Sequence, residues 1–134
     1  MQVAGAERTN FYPVVQAMAK DFRLAIRPDA RPEAGHFYRS DHFSMARVGV
    51  PSFSINEGTK FKGHPDSWGL QQESDYVEKH YHQPSDEYRP EMDFVGDSAM
   101  ARFGFALGWE AAGLSKLIEW QKGDEFEAAR TGGH

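Results

Sequence analysis

No cysteine occurs among the 134 residues of this chain, so disulfides and thiolate metal ligands are excluded. The redox compartment stays open, because exported proteins also do without cysteine. No apolar run reaches the length needed to span a bilayer, and no membrane partner is expected. The first residues lack the basic-then-apolar order of a signal peptide, so an export signal of a periplasmic or extracellular parent protein would lie elsewhere. Basic residues number 15 against 20 acidic, a formal charge of −5. No stretch gathers Lys and Arg on one face as a phosphate-backbone binder requires, and no nucleic-acid partner is expected. Internal repeats and low-complexity tracts are absent as well. What remains is an ordinary globular balance, 40% hydrophobic and 26% charged, at a length that fits one domain or a large piece of one.

Residues 2–5 read as a short β-like stub. Thr9 is placed to cap a helix running to Lys20, with Val14, Val15, Met18 and Ala19 on one face. The alternation in Phe22 to Ile26 predicts a half-buried strand that stops at Pro28, and residues 27–36 read as a loop. Ser40 is expected to cap a short helix with its hydroxyl, and Gly49 to end it in the left-handed conformation. Val50 to Ile55 then reads as a strand. Asn56 to Ser74 is polar and long for a connection, which marks it as a candidate lid or pocket wall. Asp75 to Lys79 forms a helical turn. The longest helix opens at Asp93 and reaches about Ala112, with Phe94, Val95, Met100, Phe103, Leu107 and Trp109 to bury and Gly113 as terminator. Short amphipathic pieces follow, and residues 131–134 read as a disordered tail beyond a single unit over 1–130.

Chemistry concentrates in two places. The first is Tyr81-His82-Gln83-Pro84-Ser85-Asp86-Glu87-Tyr88, where an imidazole, carboxylates and a proline turn coincide. A zinc site favours neutral imidazole and carboxylate oxygen, and a ligand beside a rigid turn loses little entropy on binding. By itself His82 reads more readily as a solvated or hydrogen-bonded loop histidine than as a ligand. His80 and His82 would form an i, i+2 pair if the segment were extended, although His80 more naturally finishes the preceding helix, where a cation meets the carbonyl end. The second place is Phe37-Tyr38-Arg39-Ser40-Asp41-His42-Phe43. Asp41 stands in the first helical turn, where the helix dipole favours an anion. The alternative makes Asp41 a hydrogen-bond partner behind a site and puts Tyr38 and Arg39 near a bound polar substrate.

Taken together, RSDHFSMARVGVPSFSI, an intervening loop, DYVEKHYHQPSDEY and a long terminal helix resemble the last third of the co-catalytic zinc metallopeptidases of family M28. The resemblance is strongest from Phe37 to Tyr88. It implies a three-layer α/β/α fold with a mixed central sheet, of which this chain supplies the carboxy-terminal part. It also implies two zinc ions at the carboxyl ends of the strands and hydrolysis of an amino-terminal residue or small peptide. By motif, His82 corresponds to the last His ligand. Tyr38, Arg39, Ser40 and Asp41 correspond to the turn at the pocket, and Asp86 to the acid after the ligand.

The family's other His, its bridging Asp, its remaining carboxylate ligands and the general-base Glu all come earlier in its order, and none is matched in this chain. The expectation is therefore a segment that is inactive and binds zinc weakly alone, because a catalytic zinc needs about three protein ligands. An open sheet edge predicts self-association or pairing with a missing amino-terminal segment. Two other functions fit the same pattern. One is a glutaminyl cyclase-like zinc acyltransferase, and the other a non-catalytic interaction domain of this fold.

Overall fold

Val3 and Ile55 face each other across a two-stranded antiparallel sheet of β1 (Gln2–Ala4) and β2 (Ser54–Asn56), in a computed structural model that describes residues 1–28 and 32–131. Because side chains alternate along a strand, this pair lies on one face while Gln2, Ala4, Ser54 and Asn56 lie on the other. Val3 and Ile55 pack against a core of Ala6, Phe11, Val15, Ala19, Phe103 and Leu107. The core therefore sits between one face of the sheet and two helices, α1 (Tyr12–Asp21) and α4 (Val95–Gly113).

Helix α1 buries Val15 and Ala19 and turns Val14 and Met18 partly inward, the face expected from their spacing. Thr9 does not cap it directly. Its hydroxyl donates to the Ala6 carbonyl (2.8 Å) and accepts from the Phe11 amide, one residue before the helix begins. In α4, Phe103 and Leu107 are buried and Gly104 comes against the Ile55 side chain (3.1 Å from a Cβ built there). Asp93 starts this helix by accepting the Val95 amide at 2.8 Å. Phe94, Val95 and Trp109, expected to be buried, are exposed.

Residues 22–26 form no strand. The Phe22 amide still bonds to Met18, and Arg23 at φ 58° lets Leu24 reach back to the Ala19 carbonyl, so the helix end uses up the segment. Only Arg27 touches the sheet, through a parallel bridge to Gln2. The strand expected over Val50 to Ile55 shortens to β2. Within the expected loop over Asn56 to Ser74, α3 (Trp68–Lys79) begins at Trp68 and absorbs Asp75 to Lys79. Helix α2 (His42–Arg47) and α5 (Glu127–Thr131) complete the helices, with a three-residue 3₁₀ turn at Pro32–Ala34 inside the expected loop and a four-residue one at His36–Arg39 that starts on its last residue. Helix α5 includes Thr131, and the rest of the expected tail lies outside the described residues. The architecture is α/β, with α1 and α4 packed on the apolar face of a two-stranded sheet among the described residues.

A second cluster of Phe37, Ala46, Trp120 and Phe126 joins the carboxy-terminal segment to the rest. Arg8 runs through it, 4.9 Å from the Phe37 ring centre and 4.7 Å from that of Phe126, and forks onto Asp124 through Nε (2.7 Å) and Nη2 (3.0 Å). Its side chain is only 19% exposed. Burial opposes its charge, yet the hydrogen bonds to Asp124 and Glu125 raise its pKa above the ordinary arginine value. Gly49, left-handed at φ 83°, ends α2 as expected, and its Cα lies hard against the Arg130 backbone.

Two stability predictions follow from these contacts. Gly49→Ala adds a Cβ into the Arg130 backbone at a positive φ and is expected to cost about 2 kcal/mol. Gly63→Ala, at φ 84° with nothing near its Cβ, carries the dihedral cost alone, about 1 kcal/mol. Urea unfolding of both variants measures the difference, and equal losses would show that the Arg130 contact does not matter. Arg8→Lys retains the charge but cannot fork or lay a plane over the rings, so a loss of about 1–3 kcal/mol is expected in the same assay.

Candidate functional site

The turn at Tyr38 to Asp41 is built by a left-handed Gly35 (φ 62°) that admits one 3₁₀ turn, His36–Arg39, before α2. The Tyr38 amide bonds to the Gly35 carbonyl at 3.0 Å. Ser40 does not cap α2 with its side chain: the hydroxyl donates back to the His36 carbonyl (2.7 Å), and it is the Ser40 carbonyl that receives the Phe43 amide. The expected cap fails because an extended Ser40 immediately after a 3₁₀ turn finds that turn's free carbonyl first. Asp41 occupies the N-cap position with no side-chain cap bond, and Arg39 is exposed. Tyr38 donates its hydroxyl to Glu125 Oε1 at 2.7 Å and receives Arg8 Nη1 at 3.4 Å. Its pKa is raised, first by that bond to Glu125, while the Glu125 carboxyl is held below its usual range by Tyr38 and then Arg8.

His42, to which the sequence assigns no role, sits behind this turn with its ring steeply tilted against Phe37, centroids 4.8 Å apart. Its Nε2 is buried with no hydrogen-bond partner among the described residues. Desolvation lowers its pKa, only partly opposed by Asp41, so the imidazole is held neutral. The signal that could have found it is its place directly after a first-turn Asp and four residues before the buried Ala46.

The second motif follows α3. His82 takes a left-handed φ of 59° and stacks its exposed ring on Tyr81, centroids 3.9 Å apart. Among the described residues its nitrogens make no hydrogen bond. Asp86 does not face it: Asp86 accepts from the Tyr76 hydroxyl at 2.7 Å and closes the turn with its amide on the Gln83 carbonyl. His80 ends α3, as its position suggested, with Nδ1 3.2 Å from the Ser85 carbonyl. Its ring is thus engaged away from His82, and the two do not act as a pair. Among the described residues no three His, Asp or Glu side chains converge as a metal site. One imidazole does not meet the needs of a catalytic zinc, so the residues present do not by themselves fit that ion. No hydrogen bond or ring contact among the described residues joins this turn to the Tyr38–Asp41 turn.

A cavity of about 540 Å³ lies over the polar face of the sheet. Gln2, Ser54 and Asn56 floor it, and His36 and Ser40 form one wall. The other wall is Thr59, Phe61 and Gln72, so the segment read as a pocket wall does line one. That wall is stiffened by an ion pair between Lys60 and Asp66 and by Trp68, stacked on His64 (4.0 Å) and edge-on to Phe61 (5.0 Å). Gly69 permits the packing, since its Cα lies against the Thr59 carbonyl where a Cβ would collide. Glu57 at the rim has its carboxyl pushed up by desolvation and then by the charges of Asp97 and Asp93.

The chain matches the family model described as Peptidase family M28 over residues 1–102, whereas no curated protein and no solved structure matches it. The matched region holds both motifs in order, Tyr38 to Asp41 and His82 to Asp86, and ends inside α4. Since 102 of 134 residues are covered, the chain belongs to peptidase family M28, a family of hydrolases.

Proposed function

We propose that this chain is part of a zinc-dependent aminopeptidase that hydrolyses amino-terminal residues or small peptides, and that His82 is the zinc ligand it contributes. The observation that carries the reading is the family match spanning both motifs in their expected order. Two local features support the role of His82. Its imidazole is exposed and makes no hydrogen bond among the described residues, and a non-glycine residue at φ 59° is the kind of backbone outlier found at functional positions. Asp86 acts at one remove, holding Tyr76 and thereby the turn that presents His82. On the other motif, His36 and Ser40 on the wall of the polar cavity make it the candidate seat for substrate, with Arg39 and Asp41 beside it. The remaining ligands and the general base come from polypeptide that supplies what these described residues do not, and this chain alone is inactive.

Exposed Phe105 and Trp109 (72% each), on the side of α4 opposite Phe103 and Leu107, support an accompanying expectation. The chain pairs through this face with itself or with that further polypeptide.

Three outcomes test the reading. Zinc added to this chain should bind weakly, and His82→Ala should abolish whatever rise in thermal midpoint it gives. In the metal-loaded protein with all ligands present, release of free amino acid from peptides is expected, falling at least about a hundredfold in His82→Ala. Formation of pyroglutamyl ends without release of free amino acid would instead establish the cyclase chemistry. Sedimentation of the purified chain should show concentration-dependent association that Phe105→Ser with Trp109→Ser removes, and a monomer at all concentrations would overturn self-pairing.

A further inference from the structure

Tyr38 is tied to a part of the chain that the family match does not reach. Its hydroxyl gives its one proton to Glu125, 87 residues away in sequence, and accepts from Arg8. The same carboxy-terminal segment holds the opposite end of the unit. The Gly49 carbonyl accepts both Trp120 Nε1 at 3.0 Å and Arg130 Nη1 at 3.3 Å. Between these points Phe126 packs on Phe37 (5.9 Å) and Phe43 (6.0 Å). The segment is itself anchored to the loop after β1: Gln121 donates its amide to Arg8 at 2.7 Å, and Asn10 and Glu119 exchange bonds at 2.9 and 3.0 Å. The 3₁₀ turn and α2 are therefore clamped at both ends from one side, while His36 and Ser40 line the cavity.

We infer that residues 119–130 are a brace that sets the position of this cavity wall, with Glu125 as a positioning residue acting through Tyr38. The inference rests on the reading of the cavity as the substrate seat. It removes the Tyr38 hydroxyl from the substrate contacts, because both its proton and one of its lone pairs are committed to the brace. The bond requires a protonated phenol and is strengthened by an ionised carboxylate. Glu125 has its pKa lowered, so the contribution is present above the ordinary carboxylate pKa and lost as pH falls through the lowered value. Tyr38 has its pKa raised, so the contribution is present below the ordinary phenol pKa and lost as pH rises through the raised value. At neutral pH the brace is closed.

Hydrogen exchange of this chain tests the brace without any substrate. The amides of Tyr38, Phe43 and Ser44, bonded to Gly35, Ser40 and Asp41, report the turn. Glu125→Ala and Tyr38→Phe should each speed their exchange roughly tenfold at neutral pH, with amides of 103–107 in α4 unchanged. Glu125→Gln, whose amide oxygen still accepts from Tyr38, should stay within about threefold of wild type. Unchanged exchange at Tyr38, Phe43 and Ser44 in Glu125→Ala and Tyr38→Phe overturns the brace, as does Gln behaving like Ala. If Glu125→Ala also opens α4, Tyr38→Phe, which removes a single oxygen, decides. In the metal-loaded active protein, Glu125→Ala should raise KM several-fold, about three to ten, at unchanged kcat. A fall in kcat at constant KM overturns the positioning role. A protein that hydrolyses no peptide overturns the proposed function instead, and the exchange result still decides whether the brace exists.

Discussion

The guanidinium of Arg8, forked on Asp124 and lying over the paired rings of Phe37 and Phe126, is the contact on which the two halves of this structure depend. It joins residues 116 positions apart, so the chain closes a long loop to form it, at an entropic cost that grows only slowly with length. Arginine suits the place for reasons of shape: a flat, delocalised cation can lie over the two rings while its fork matches a carboxylate, where an ammonium would do neither. Asp124 is nearly buried beside it, 9% exposed, so removing Arg8 would strand this carboxylate, whereas removing Asp124 would leave the guanidinium with Glu125. Around this pair the aromatic cluster closes, Trp120 reaches Gly49, and α2 is fixed in place.

Local signals were legible in the sequence where local physics decides the outcome. The apolar face of α1, the start of α4 at Asp93 and the left-handed Gly49 all appear as read. Where two local signals compete, the reading failed. The alternation in Phe22 to Ile26 is real, and Leu24 and Ile26 do pack on the core, but the end of α1 consumes the residues a strand would need. The polar stretch Trp68 to Ser74 looked like loop because its helix carries few apolar residues on its inner side. It is held instead by a glycine contact and by aromatic stacking around Trp68. Contacts such as Arg8 with Asp124 have no local pattern at all, and composition alone does not pair them.

The candidate site was legible to a different degree. Ser40, Asp41, His82 and Asp86 could be singled out because turn chemistry and residue type coincide there. Their partners could not. Asp86 holds Tyr76 and Tyr38 holds Glu125, pairings that depend on how α3 and the carboxy-terminal segment return to these turns. His42 shows the same limit from the other side. Its place beside Asp41 is plain in the sequence, but only the packing around it, Phe37 included, shows why its imidazole is desolvated and its Nε2 has no hydrogen-bond partner among the described residues.

Stability and site fall on opposite faces of one small sheet. Val3 and Ile55 commit one face to the helices, where Phe103 is wholly buried and changes in volume are felt at once. Gln2, Ser54 and Asn56 on the other face offer amides and a hydroxyl to the cavity, where exposure to water keeps polar groups inexpensive. A two-stranded sheet is marginal by itself, so the position of that polar face is set by what grips its connections. One such grip is the aromatic cluster around Arg8, which reaches β1 through Gly5: Phe37 packs so closely on this residue, left-handed at φ 99°, that a Cβ there would collide. The wall carrying His36 and Ser40 is thereby registered against the floor carrying Gln2, and the geometry of the cavity becomes a property of the second cluster more than of the first.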